Sequence, residues 1–311
     1  MTALELANLG SCGSGSTLGF NTDKGCADLL EAAVAVWLVS PSLVIADSEV
    51  IDADYIESLQ ISGDLIVIQG VSTFAENGSD DAIETLEDDT MILTNKGKYK
   101  FLATFAGKGL YWNRALSSVE GHGTWRTMIV DNKGDVFFTS NASGGFKGFT
   151  TGMIRQAKLQ VASNTTSTKS GLEWQLLNRF ELDVNYNVWK NENLAFDPRT
   201  VEPVTQVFLS LVNAPADADV TLTIKAVVDR GRTAAVAAAL FGQFSNTIGG
   251  VASDPTAGDD SGTAGTYVLT IPALNAAEIG KVGMYSANSN VIKIAGDGLY
   301  KSNFVDYTVV A

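Results

Sequence analysis

The chain has 311 residues, a 45% hydrophobic fraction with five Trp and fourteen Phe, and a formal net charge of −14. That much apolar material fills real cores, so an intrinsically disordered chain is excluded, and the length suits two domains better than one. The acidic balance argues against a grip on nucleic acid or on an anionic membrane surface.

The charge is unevenly placed. Residues 25–95 hold fifteen carboxylates and no Lys or Arg, whereas residues 96–200 hold fourteen Lys or Arg against eight Asp or Glu. One reading is a solvated acidic face. The other is a subunit with an acidic and a basic face that stacks on copies of itself, because opposed patches steer and register association.

Residues 1–25 are rich in Gly and Ser and read as a flexible or partner-ordered arm. Gly13-Ser14-Gly15 lacks a preceding strand, Gly19 is misplaced for GxGxxG, and no Walker Lys follows, so a nucleotide loop is not expected. Cys12 and Cys26 lack CxxC spacing and a nearby histidine cluster, which argues against zinc. Two cysteines in a chain this long suggest no dependence on oxidising conditions. Glu5 and the absence of a basic stretch give no sign of a signal peptide.

Within 29–39 the alternation of Val34, Val36 and Leu38 and the break at Ser40-Pro41 favour a strand, with another at 43–46. The longest apolar run, 32–39, is far short of the about 20 residues that a membrane span needs. Tyr55, Ile56 and Leu59 have helical spacing over 52–59, and 65–69 reads as a buried strand. Residues 72–90 (STFAENGSDDAIETLEDDT) are a long polar excursion, either a loop or an extended hairpin leaving the domain body. Its acids lack the order of an EF-hand, so a solvated or partner-facing carboxylate run is expected in place of a calcium site.

Two strands, 90–93 and 99–105, are expected around the turn Asn95-Lys96-Gly97. Leu110, Ala115, Leu116 and Val119 space a helix over 110–119 that ends at Gly121. Residues 128–130 and 136–138 are strands about the turn 131–135, in which Gly134 supplies the positive φ, and a further strand covers 146–154. Phe180, Leu182, Val184, Tyr186 and Val188 alternate with polar residues and predict a half-buried strand.

Two prolines within 196–203 mark a linker and set domains of 1–200 and 201–311. Beyond it come about seven short strands, at 204–212, 220–227, 234–244, 266–271, 281–286, 291–294 and 305–310, which fit an immunoglobulin-like sandwich without the antibody disulfide. Residues 234–239 could instead be helical. The loop 254–265 is a second candidate cation site, read more simply as a mobile tip.

Catalytic signals are weak. The single histidine, His122, sits between Gly121 and Gly123 as a turn residue would, and no GxSxG elbow accompanies it. No carboxylate pair lies in an aromatic context that would raise a pKa, and Trp37, Trp112, Trp125, Trp174 and Trp189 read as core. Neither an enzyme nor a bound cofactor or metal is expected.

Glu84-Thr85-Leu86, the strand start Gly97-Lys98-Tyr99, and IVDNKGD at 129–135 running on to GFKGF at 145–149 resemble structural proteins of phages infecting Bacteroidetes. With the layout above, the chain resembles the major tail tube proteins of tailed bacteriophages, some of which carry a C-terminal Ig-like domain. The resemblance implies a mainly β chain, with an N-terminal tail-tube-like sandwich or barrel bearing one helix and then an Ig-like sandwich projecting outwards. It implies hexameric rings, closed by edge-to-edge sheet pairing and stacked into a tube, with other tail or head-to-tail connector proteins as partners. DNA would pass an acidic lumen without specific binding, and the protein would assemble in the host cytoplasm and reside in the virion tail, with no membrane. Residues 72–90 become the inter-ring arm. Glu76, Asp80, Asp81, Glu84, Glu87, Asp88, Asp89, Lys96, Lys98 and Lys100 become candidate inter-subunit residues. Other readings are a head decoration or head-fibre protein and a secreted adhesin or carbohydrate-binding module.

Overall fold

A computed structural model describes residues 1–10, 30–87, 89–163, 165, 167–228, 235–236, 239, 241–260, 263–284, 291–294 and 298–311. The chain is mainly β and divides into two compact units, Met1–Glu57 with Asp64–Val201, and Ser58–Gly63 with Glu202–Ala311.

The first part of the chain runs through α1 (Ala3–Gly10), β1 (Ala33–Val39), α2 (Ala53–Ser62), β2 (Leu65–Gln69), β3 (Thr73–Glu76), β4 (Ala82–Thr85) and β5 (Met91–Asn95). Next come β6 (Lys100–Ala106), α3 (Leu110–Ser117), β7 (Gly121–His122), β8 (Arg126–Asp131), β9 (Val136–Ser140) and β10 (Phe146–Lys147). It closes with β11 (Phe149–Gln160), β12 (Lys169–Leu176), the one-turn α4 (Phe180–Asp183) and β13 (Tyr186–Trp189).

Eleven of these strands form one sheet whose two halves face each other across a shared core. Val36 and Leu38 of β1, Ile129 of β8 and Phe137 of β9 meet Phe101 and Phe105 of β6 and Leu172 and Trp174 of β12. The twelve-residue β11 turns the corner: its first residues pair with β8 and the rest with β12, with register shifts at 151/153 and 157/160. Such bulges bend a strand and let one sheet wrap its own core. β1 reads as an unbroken apolar run because both its faces are covered, with Trp37 as buried as Leu38. The β8–β9 hairpin forms about the 131–135 turn, with Gly134 at φ +91°.

Several expectations are corrected. The arm expected over 1–25 opens with α1, and the rest of it, with Cys12 and Cys26, lies outside the described residues. Thr2 and Glu5 form a capping box: Glu5 N–H donates to Thr2 Oγ1 at 3.3 Å, and Thr2 N–H to Glu5 Oε2 at 2.8 Å. Ala3, Leu6 and Ala7 are buried, and the Trp189 indole donates to Ala3 O at 3.2 Å. Helices therefore number four among the described residues of Met1–Val201, not one. No strand forms at 43–46, where only Ile45 bridges Phe146. The turn at 95–97 does not join two paired strands, because β5 pairs with β4 while β6 pairs with β3 and β12.

The alternation at 180–188 is likewise overruled. Phe180–Asp183 is helical, and only Tyr186–Trp189 is strand. Asn178 Oδ1 accepts from Phe180 N–H at 3.1 Å, and Glu181 is drawn inward to Thr150 and Lys147, so Phe180 and Val184 are left exposed.

The second unit contains β14 (Thr205–Leu211), β15 (Thr221–Val228), β16 (Phe244–Ile248), β17 (Val251–Ala252) and β18 (Ala257–Asp260). It continues with β19 (Thr266–Thr270), β20 (Ile279–Met284), β21 (Ile292–Ile294), β22 (Gly298–Ser302) and β23 (Val305–Thr308). One sheet runs β18-β19-β15-β14-β22-β21 and the other β17-β16-β20-β23. Leu209, Leu222, Ile224 and Leu269 of the first face Phe244, Val282 and Met284 of the second in one core. With β14, β15, β16, β18, β19, β20 and β23 as A to G, the order is ABED against CFG, the arrangement of Ig sandwiches. The β21–β22 hairpin is an addition that pairs in parallel with A. Part of the expected mobile tip at 254–265 is strand β18, and the helical alternative at 234–239 falls largely outside the described residues.

Candidate self-association site

The excursion is a hairpin with a pinned root and an uncovered blade. At the root the outgoing and returning segments nearly touch: a Cβ on Gly78 would strike Lys98 O, and one on Gly97 would strike Ser79 O. Glu76 Oε1 accepts from Gly78 N–H at 2.6 Å, and Asp81 Oδ1 from Gly97 N–H at 2.7 Å. The Arg179 guanidinium then joins Asp81 to the body, and its Nε donates to Asp183 Oδ2 at 2.6 Å. Tyr99 hydroxyl donates to the other Asp183 oxygen, also at 2.6 Å. The Gly97 N–H and the Arg179 guanidinium hold the Asp81 carboxyl below its ordinary range, while the bond to Asp183 pushes the Tyr99 phenol up. A polar cleft of about 420 Å³ opens here, lined in part by Asp80, Lys98 and Tyr99.

Beyond the root, β4 and β5 form a two-stranded sheet of their own. The register Ile83↔Leu93 and Thr85↔Met91 puts Ile83, Met91 and Leu93 on one face, while Glu84 and Ile92 share the other. Every residue of both strands is exposed, including Met91 at 72% and Ile83 at 60%. The tip is closed by Leu86 N–H to Thr90 O at 2.8 Å, with Asp89 at φ +65°. An isolated hairpin is marginal in water, and unpaired strand edges invite pairing with another chain.

No family model and no curated protein matches this chain.

The ten candidate residues do not converge on one patch. Glu76, Asp80, Asp81 and Lys98 belong to the root, Glu84 to the blade, and Glu87 and Asp89 to the tip, while Asp88 is outside the described residues. The Lys96 ammonium sits 5.0 Å from the Phe180 ring centroid, and Lys100 bonds Glu173 at 3.0 Å on the main sheet. Sequence reasoning missed Tyr99, Arg179 and Asp183, which are brought to the root from a distance, and the apolar face of the blade. The latter was signalled by the two-residue spacing of Ile83 to Thr85 and Met91 to Leu93.

Part of the acidity in 25–95 is engaged internally. Glu31 pairs with Lys133 at 2.6 Å, Asp47 accepts from Gly145 N–H at 3.1 Å, and Asp52 caps α2 at Tyr55 N–H. Asp254, in the other candidate cation loop, bonds Ser245 and Asn246 N–H. Among the described residues, no group of three or more His, Cys, Asp and Glu is placed to hold a metal, and no helix is long and apolar enough to cross a membrane. His122 is exposed on β7, paired with Met153.

Proposed function

We propose that this chain is a non-catalytic structural protein that assembles with copies of itself, as the major tail tube protein of a tailed phage does. The observation that supports the reading is the β4–β5 hairpin, an exposed apolar sheet of two strands that its own chain leaves bare. A soluble monomer gains nothing from holding Ile83, Met91 and Leu93 in water on a pinned root, whereas an assembling subunit gains an interlock. In this reading rings stack through the hairpin, connector proteins close the ends, DNA passes through unbound, the Ig-type sandwich faces outwards, and the protein resides in the virion tail.

The test is negative-stain microscopy with light scattering of the full chain and of a variant in which residues 82–95 are replaced by two glycines. The close approach of the root strands allows so short a closure. The full chain should form rings or tubes, and the variant should stay monomeric with a native β-type circular dichroism spectrum. Tubes from the variant would remove the hairpin from assembly, and a full chain that is monomeric at all concentrations would end the reading.

A further inference from the structure

The apolar blade needs a surface of matching shape and charge, and one face of the same unit supplies it. The pairs Lys100↔Gln175, Leu102↔Glu173, Thr104↔Gly171 and Ala106↔Lys169 place these residues on the side of β6–β12 opposite Phe101, Phe105 and Trp174. β11 continues that face with Met153, Arg155 and Ala157. Its middle is flat: Gly171 is buried between Ala157 and Leu102, and a Cβ there would meet both side chains. Its charge is positive. Lys100 and Arg155 share a single carboxylate, Glu173, at 3.0 and 2.7 Å, and Lys169 adds a further cation on the same side.

We propose that the apolar face of the β4–β5 hairpin docks on this outer face of β6–β12–β11 in a second copy of the chain. The inference rests on the self-assembly reading and names the acceptor that reading leaves open. Ile83, Met91 and Leu93 lie on the flat strip around Leu102, Gly171 and Ala157 as one sheet packs on another. Glu87 and Asp89 at the tip, with no Lys or Arg anywhere from 72 to 95, come opposite Lys100, Arg155 and Lys169, while Glu84 points away with Ile92. The rival acceptor is the apolar corner of Leu177, Phe180 and Val184. Its cations Arg179 and Lys96 are balanced by Asp81 and Asp183, so it offers the blade no net positive charge.

A paired charge reversal in the full chain tests this. One variant carries Glu87→Lys with Asp89→Lys, and the other carries Arg155→Glu with Lys169→Glu. Each alone sets like charges against each other and should associate at least about tenfold more weakly than the parent protein, since desolvated charge pairs couple by more than about 1.5 kcal/mol. Mixed in equal amounts, the two should co-assemble at the parent's concentration, because each hairpin then finds an opposite face. In addition, p-benzoyl-phenylalanine at Met91, in an assembly of labelled and unlabelled chains, should crosslink between chains to peptides of β6, β11 or β12. A mixture that stays dissociated while both variants keep the native spectrum overturns the acceptor, as do crosslinks that map elsewhere. In both cases an assembling parent protein leaves self-assembly standing, whereas a parent that never associates removes both.

Discussion

A carboxylate taken out of water needs donors on both oxygens, and Glu181 has them. Its Oε2 accepts from Thr150 N–H at 2.6 Å, and its Oε1 from Thr150 Oγ1 at 2.8 Å and Lys147 Nζ at 2.9 Å. Glu181 is buried and Lys147 mostly so, and removing the carboxylate leaves the ammonium and the Thr150 donors without their partner. Glu181→Ala should lower stability by about 3–5 kcal/mol in urea denaturation. A loss below about 1 kcal/mol would mean that water replaces the carboxylate, as it does at exposed pairs. This one residue also explains why the alternation over 180–188 misled: burial of Glu181 outweighs the apolar spacing of its neighbours, and nothing in the local pattern announces a partner thirty residues away. Asp131 presents the opposite case. It is fully buried, and its Oδ1 accepts from Lys133 and Asp135 N–H at 2.9 Å each, but its Oδ2 has no partner. Burial, and then the nearby Asp135 charge, push its carboxyl above the ordinary value of 3.8. A raised folded-state pKa means that the native chain holds this proton more tightly than the unfolded chain. The residue therefore costs stability as pH rises through and above that value, and the cost vanishes below it. Asp131→Asn keeps the acceptor oxygen for the turn, so it should gain on the parent protein from pH 3 to pH 7 in thermal melts. A difference that is flat with pH would show that Asp131 is not the titrating group.

At the scale of elements, what decides each segment is where its side chains can go. β6 carries Phe101, Ala103 and Phe105 on one face, so it is claimed by the core between β3 and β12. β5 has no such face to bury in its own chain and pairs with β4, which is why a turn-like Asn95-Lys96-Gly97 fails to join two paired neighbours. The long-range choice between partners is not written in either strand alone. β1, β2, β8, β9 and α3 were legible because period, length and punctuation agree within each segment. α1 was legible too, in the Thr2 and Glu5 capping box and the 3–6–7 apolar spacing, but the glycines that follow it drew the whole stretch into a loop reading. Its role can be measured. Thr2→Ala removes the oxygen that accepts from Glu5 N–H and should destabilise α1 by about 1 kcal/mol. Because the Trp189 indole donates to Ala3 O, the loosening should appear as a red-shifted tryptophan emission together with faster amide exchange confined to residues 3–10. Unchanged exchange in that helix would assign its stability to packing of Leu6 and Ala7 alone.

Over the whole molecule, two electrostatic effects oppose each other, and distance separates them. The net charge of −14 makes copies repel at long range, while in the proposed docking the acidic hairpin and the cationic β6–β12–β11 face attract at contact. Screening reaches about 30 Å at 0.01 M salt and about 10 Å at 0.1 M, so added salt first removes the repulsion between copies that have not yet met. Only at higher salt, with a screening length of about 3 Å near 1 M, does it erode pairs at the interface itself. Association should therefore be strongest at intermediate ionic strength, weak near 0.01 M through repulsion and weak again near 1 M through loss of the contact pairs. Light scattering at fixed protein concentration across sodium chloride reads this directly. A monotonic rise up to 1 M would mean that Ile83, Met91 and Leu93 hold copies together without help from charge, since screening would then only remove repulsion. A monotonic fall would mean that the net charge never governs the encounter.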